Sequence, residues 1–351
     1  MKPLTLVVTV FGLFATTSSV RAESHKFVPT VFYNTFSSGH PPALRIKSGE
    51  RVITTTVDDA GAGADGKTVA QGPDPVTGPF YIEGAEPGDL IVVTIEKLQP
   101  NRTTGISPSF MAAASFDPGA LSNKPAPPVP WTIDQARGVV RLDLQRVIPN
   151  VKWGERYSPP TYELPLRPML GSIGVAPANK ASATMPGPFG GKLDYGGVTA
   201  GAKVLLPVYQ PGALLFLGHG LARLGDGETT GTGIETSMDV EFSVELVKKK
   251  EWPHSSVMRA STIAGEFPIE WPRIETADYV MAVGSAPSLL EALQHATSEL
   301  HHWLDDDFGF SERSLSIFLG QAMEYEVAHV ADQNVTVVAK VRRSYMPREA
   351  K

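Results

Sequence analysis

The chain has 351 residues, no cysteine, 33 glycines, 30 prolines and a formal charge of −6. The missing cysteines exclude disulfide scaffolds and thiol nucleophiles, and no basic cluster interleaved with aromatic residues marks a nucleic-acid surface. The length supplies ample core for one large or two modest domains, and the Gly and Pro content favours short strands over long helices.

Met1 to Ala22 reads as a secretory leader. Lys2 charges its start, Leu4 to Ala15 is apolar but too short to span a bilayer, and Val20-Arg21-Ala22 ends it with small residues at the −3 and −1 positions. Cleavage after Ala22, a periplasmic or secreted product and no membrane contact thereafter are expected. Leu44 and Ile46, then Val52 and Thr54–Thr56, predict two strands joined at Ser48-Gly49-Glu50. Asp58-Asp59 opens a loop rich in Gly, Asp and Pro, as an Asx-turn pair or with one acid pointing into a site. Gly61 to Gly66 spells G-x-G-x-x-G, but no helix pattern follows, so it reads as a loop and not a nucleotide site.

Phe80 to Glu83 is a short strand ending on an acid. Glu83 is expected to be buried and paired, or functional. Glu86 and Asp89 belong to a P-G-D turn and read as structural; Leu90 to Ile95 is a strand. Asn101 to Tyr162 is poorly patterned and reads as a Pro-rich excursion covering a site, with a strand pair near Val139–Leu144. Leu166 to Val175 carries Arg167 inside an apolar run, a setting that calls for a carboxylate partner.

The densest polar constellation lies between Pro211 and Glu241. Strand-like runs flank Gly218, His219, Gly220, Arg223, Gly225, Asp226, Gly227, Glu228, Gly231, Gly233 and Glu235. Glycines at this density let the backbone approach a ligand closely, and such loops carry sites; a decorated hairpin whose acids face water is the alternative. After Trp252 the texture changes: helices are predicted over Ser288–Leu304 and Ser311–Glu324, then a strand over Val335–Val341. His295, Glu299 and His302 share a helix face and could bind a metal, but that spacing far more often describes a solvated face.

The stretch G-H-G-L-A-R-L-G-D-G-E-T-T-G-T-G-I-E-T-S resembles the acetamidase/formamidase signature G-D-G-H-A-x-Q-G-D-G-E-x-x-G-x-x-I-E. Thr77–Asp89, Leu164–Pro177 and Gly190–Pro207 agree with the same family in order, so the resemblance covers nearly all of the chain after the leader. It implies a mainly β fold, a distorted β-sandwich of many short strands with a C-terminal α+β portion: a leader over 1–22, a β-rich region over 23–250, and an α+β portion over 251–351 packing on the same fold. It also implies hydrolysis of short linear amides to a carboxylate and ammonia by an activated water. From their positions in the chain, Glu235 is the expected general base, with Glu83 and Glu228 as further catalytic candidates. Asp194, Gly225 and Gly227 are expected at the substrate, and His219, Asp226 and Asp59 as ligands of a divalent metal, zinc because a His is involved. A homodimer follows only from the general habit of soluble oligomers.

Departures from the family pattern matter. His219 stands where the family has Asp, Leu221 where it has His, Leu224 where it has Gln, and Lys192 where G-G-N is usual. If the missing His is a metal ligand, His219 would have to replace it from two positions earlier, on the same strand face. Altered chemistry is one expectation. A non-catalytic secreted binding protein on this scaffold is another, and a hydrolase of a small ester or lactam a third.

Overall fold

The computed structural model describes residues 23–120, 124, 126–147, 161–251, 269–308 and 310–346. The leader expected at 1–22 lies outside them. Two large sheets carry the fold. The nine-stranded sheet runs, edge to edge, through 24–26, 51–55, 238–247, 90–100, 203–207, 273–275, 279–286, 335–342 and 324–329. The eleven-stranded sheet follows the path 161–165, 139–143, 129–134, 104–107, 234–235, 215–223, 169–175, 190–192, 186–187; strand 76–82 pairs with 215–223, and 44–46 pairs in parallel with 76–82.

The inward side chains of both sheets form one apolar cluster, as alternating strand patterns require. Val52, Ile91, Val93, Val240 and Phe242 meet Phe80, Leu170, Ile173 and Phe216, and the Phe80 and Phe242 rings touch edge to face at 5.1 Å. The architecture is therefore mainly β with C-terminal helices, as expected. Leu289–Phe308 and Glu312–Ala322 lie on strands 279–286 and 335–342 through Ala292, Ala296, Leu300, Trp303, Leu304 and Leu315. Gly284 permits this close packing, since a β-carbon there would collide with the helix backbone at Ala292 and Ala296. Ser311 caps the second helix by accepting from the Ser314 amide.

The two strands expected on either side of Ser48-Gly49-Glu50 form as Leu44–Ile46 and Arg51–Thr55, while other local expectations are corrected. The strands at Leu44–Ile46 and Arg51–Thr55 do not pair with each other. They enter different sheets, and Gly49 (φ 86°) turns the chain from one layer to the other. The segment read as an irregular excursion holds, besides the expected strand at 139–143, strands 104–107, 129–134 and 161–165, and together they extend the eleven-stranded sheet around a small core of Trp131, Ile133, Val140 and Leu142. Arg167 is exposed. Among the described residues the deeply buried arginine is Arg273, whose Nε donates to Glu299 Oε1 at 2.5 Å. Glu299 is 1% exposed, so the face shared by His295, Glu299 and His302 is not a solvated one at its centre.

Candidate active site

The centre of the site is the middle of strand Leu215–Arg223, where G-H-G crosses the eleven-stranded sheet. His219 has φ 53°, in the left-handed region that non-glycine residues seldom visit. Asp74 (48°), Asp194 (45°) and Glu228 (45°) share that conformation. Strained backbone held by its surroundings is a common mark of functional sites, and here four such residues converge. Gly171 lies opposite His219 in the register that pairs Leu170 with Gly220 and Ser172 with Gly218. A β-carbon on Gly171 would collide with both the Asp194 carboxylate and the His219 ring. Only glycine leaves room for both groups on that floor.

Two carboxylates hold the imidazole. His219 Nε2 lies 2.8 Å from Glu235 Oε1, and Nδ1 lies 2.9 Å from Asp194 Oδ1 in a contact too misaligned to be a good hydrogen bond. Asp74 Oδ1 stands 3.8 Å from the same Nδ1. Glu235 comes from the two-residue strand Ile234–Glu235, which pairs with His219's strand next to a register shift. The Thr232 hydroxyl also donates to Glu235 Oε1, and the Asp59 amide approaches Oε2 at 3.4 Å. Behind it Arg102 ties Asp58 (2.6 Å), Thr236 (3.1 Å) and the Glu235 carbonyl (3.4 Å) together. Asp58 Oδ1 also accepts the Ala62 amide, so of the two adjacent acids Asp58 closes the turn and Asp59 reaches the site.

On the other side of Asp194 lies Lys192. Its Nζ is 2.6 Å from Asp194 Oδ2, 2.9 Å from Asp332 Oδ2 and 3.7 Å from Glu228 Oε1. Glu228 arrives on a turn whose Gly227 amide bonds to the Val327 and Ala328 carbonyls, while Gly227 itself bridges to His329. Strand Glu324–His329 and the turn after it thus bring His329 and Asp332 to the centre. Asp59 and Asp332 are half-buried and form its wetter rim.

Burial and mutual charge set the protonation states. Burial pushes Glu235 up to about 7, with the His219 charge opposing and Asp59 adding to the rise. Burial and the Asp194 charge push Glu228 up to about 10. Burial likewise raises Asp59 and Asp74. For Asp194, burial is outweighed by Lys192 and His219, which hold it well below the usual carboxylate range. His219 is raised well above its ordinary value because Glu235 and Asp194 overcome its burial. At neutral pH the site therefore holds an imidazolium between two acids, an ionised Asp194, a protonated Glu228 and a Glu235 poised to exchange a proton.

Of the residues singled out from sequence, the structure brings His219, Glu235, Asp194, Asp59 and Glu228 together. Glu83 stands apart. It is exposed, faces Arg45 at 3.9 Å, and follows strand Val76–Ile82, whose other end lies near Asp74, roughly 20 Å away along the chain. Gly225 and Asp226 are exposed, and Gly227 spends its amide on the neighbouring strand. Asp74, Thr232, His329 and Asp332 were not found from sequence, and Lys192 was noticed only as a departure. Asp74 lies in a loop with three other acids, Asp58, Asp59 and Asp65, and His329 and Asp332 lie about a hundred residues downstream at and after a plain strand end.

The expected metal set does not assemble. Asp226 is exposed whereas His219 is buried, and both nitrogens of His219 already face carboxylate oxygens. Near the centre, the described residues that converge as metal ligands would are Asp194, His329 and Asp332. The Lys192 ammonium lies against two of these three. A divalent ion does not fit that set with Lys192 in place.

Fold and site together define a β-sandwich protein with a strained, buried His–carboxylate centre. The sequence profile of the acetamidase/formamidase family matches residues 28–185 and 158–341, and the chain belongs to that family. A Schizosaccharomyces pombe protein named for formamidase activity is 26% identical over 216 residues, 49% of this chain and 52% of that relative, so the match spans about half of the relative's length. The crystal structure of an acetamidase from Yersinia enterocolitica is similar with TM-score 0.73 and 27% identity, covering 94% of this chain and 95% of that one. The crystal structure of a Thermoanaerobacter tengcongensis protein described as a predicted acetamidase/formamidase is similar in fold, with TM-score 0.72 and 24% identity over 92% and 97% of the two chains.

Proposed function

We propose that this chain is an exported hydrolase of short linear amides that releases ammonia and a carboxylate. The observation that carries the reading is Glu235: a fully buried carboxylate, pushed to about 7, inside the stretch that matches the family signature. Family membership and the names of the similar acetamidases and formamidase support the substrate class. Export rests on the N-terminal sequence pattern, and a dimer on general habit alone.

An amide is a poor electrophile, so its hydrolysis needs a base for water, charge stabilisation at the carbonyl oxygen and an acid for the departing nitrogen. Glu235 Oε1 is engaged by His219 and Thr232, while Oε2 has only the long approach of the Asp59 amide and keeps acceptor capacity. In the proposed reaction Oε2 takes a proton from water as its oxygen adds to the carbonyl carbon. The carbonyl oxygen becomes anionic beside the positive His219. The C–N bond then breaks as Glu228, neutral at pH 7, gives its proton to the nitrogen. The products are ammonia and a carboxylic acid, which ionises. Both Glu228 oxygens are buried without a hydrogen-bond partner, so its proton is not committed elsewhere.

The test is ammonia release from formamide, acetamide and propionamide, with Glu235→Gln as the comparison. That variant keeps shape but cannot take a proton, and kcat should fall by about 10²–10⁴. A wild type that releases no ammonia, alone or with zinc, manganese or calcium added, favours the binding-protein reading. One observation supports that second reading: Leu221, wholly buried, puts no polar atom where the family signature has His.

A further inference from the structure

The buried cluster around Asp194 carries a charge problem that the amidase reading leaves open. Asp194, Glu228 and Asp332 converge with His329 from three separate segments. Glu228 is neutral, but the wholly buried Asp194 carboxylate beside the half-buried Asp332 calls for a cation. Divalent metals meet that need in many hydrolases, and Asp194, His329 and Asp332 present one ligand atom each, all within 4.8 Å of one another.

We propose that the Lys192 ammonium is the resident cation of this centre, taking the place of a divalent metal, so that this chain hydrolyses its substrate without a bound metal ion. The inference rests on the amidase reading for the word hydrolyses; the statement about metal stands on geometry alone.

Four observations carry it. First, the ammonium donates to two carboxylates, Asp194 at 2.6 Å and Asp332 at 2.9 Å, and the neutral Glu228 carboxyl stands 3.7 Å away. Its side chain is 5% exposed, so the contact is built into the core and is not a passing surface pair. Second, it bonds two of the three residues that could ligate a metal. A dication entering among them would have to displace it or sit beside a like charge. Third, the remaining member, His329, offers Nε2 to the Thr336 hydroxyl at 2.9 Å and keeps only Nδ1 buried and without a partner. One nitrogen is too few to hold a metal once the carboxylates are taken. Fourth, His219 cannot compensate, because each of its nitrogens faces a carboxylate within 2.9 Å.

The lysine is placed by its own strand. Gly190 (φ 93°) and Gly191 (φ 87°) precede it, and a β-carbon on either would strike backbone at Ile173 or Met185. The strand can therefore press against its neighbours, with Lys192 opposite Ser172 and its side chain beneath Asp194. Where G-G-N is the family pattern, a short neutral amide would stand here instead of a cation. Lys192 is in this view a positioning residue: it holds Asp194 ionised, and Asp194 orients the His219 ring.

The test measures metal before activity. Purified wild-type protein, dialysed against zinc and then buffer, should retain well under one equivalent of zinc by mass spectrometry. Ammonia release should be unchanged by a chelator or by added zinc. Lys192→Asn opens the carboxylate cluster, and should take up about one equivalent of zinc with a zinc-dependent rise in Tm, as a ligand that binds only the native state produces. Lys192→Arg keeps the charge and should stay metal-free. Wild type that holds one equivalent of zinc with Lys192 intact overturns the proposal, and this measurement needs no variant to fold. A folded Lys192→Asn that binds no more zinc than wild type overturns it too. If no amide is hydrolysed, the functional reading fails while the zinc stoichiometry still decides the cation.

Discussion

At the scale of single residues, the site is a set of exchanges between space and charge. Gly171 is the spatial half. Its missing β-carbon is the room occupied by the His219 ring and the Asp194 carboxylate. Gly171→Ala should therefore displace both groups and lower kcat/KM by about 100-fold, as misplacement of about 1 Å can, while circular dichroism keeps its β signature. Glu235 is the charge half. A base must be ionised to accept a proton, and burial has moved this carboxyl from 4.5 up to about 7. As pH falls below about 7 the ionised fraction drops, so kcat/KM should fall close to tenfold per unit. A pH–rate profile checks this, and an acid limb below about pH 5.5 would move the base to another residue. The core of this site was legible in the sequence because His219, Glu228 and Glu235 lie on one short Gly-rich stretch. Asp74, His329 and Asp332 were not legible, because nothing local marks them; only strand pairing carries them to the ring.

At the scale of elements, turns and helices show where an acid is structural. Asp89 closes the P-G-D turn: its carboxylate accepts from the Glu86 amide at 2.9 Å, the Lys249 amide at 2.8 Å and the Lys248 ammonium. Burial raises its pKa, but these donors outweigh it and leave the group below its ordinary value. A depressed folded-state pKa means that the stabilisation is present above the unfolded value near 4 and is lost as pH falls through the folded one. Asp89→Asn should cost about 2 kcal/mol at pH 7, the scale of hydrogen bonds to a charged group, and the difference should shrink under strong acid in urea titrations. Glu299, on helix Leu289–Phe308, also accepts the Glu270 and Trp271 amides, which ties the helix to the strand carrying Arg273. Glu299→Ala should cost about 3–5 kcal/mol, as removing one partner of a buried ion pair does. His295, on the same helix, stacks on Trp271 at 4.5 Å and lies away from the site. Replacing His295 and His302 together by Gln should leave amide hydrolysis near wild type; a loss of activity would draw that helix into the chemistry.

At the scale of the whole molecule, the nine-stranded sheet runs from Ser24–Lys26 to the C-terminal strands, so both ends of the described chain share one sheet. The C-terminal strands also reach into the site through His329 and Asp332, and a truncation after the first helix should abolish the centre along with the sheet edge. Strand Ser24–Lys26 begins two residues beyond the expected cleavage point and pairs in parallel with Arg51–Thr55. His25 meets Glu50 at 2.9 Å. Mass spectrometry of exported protein should find the mature chain starting at Glu23; an intact Met1 on most of it would count against cleavage.

The sequence by itself determined the class of the fold and the family. Alternating apolar residues and frequent Gly and Pro dictate short strands, helical periodicity dictates two C-terminal helices, and G-D-G-E with I-E-T marks the family whatever the tertiary detail. Tertiary structure alone decided which acids work together. A carboxylate's role depends on who faces it across sheets, and that is set by register and by positive-φ backbone far apart in the chain. Glu83 and Glu235 each follow an isoleucine, yet one stops at the surface beside Arg45 and the other beneath His219. Lys192, two residues from Asp194, reads locally as an ordinary charged residue. Only when Asp332 arrives from the far end of the chain, and Glu228 from its turn, does its ammonium become the cation of a buried cluster.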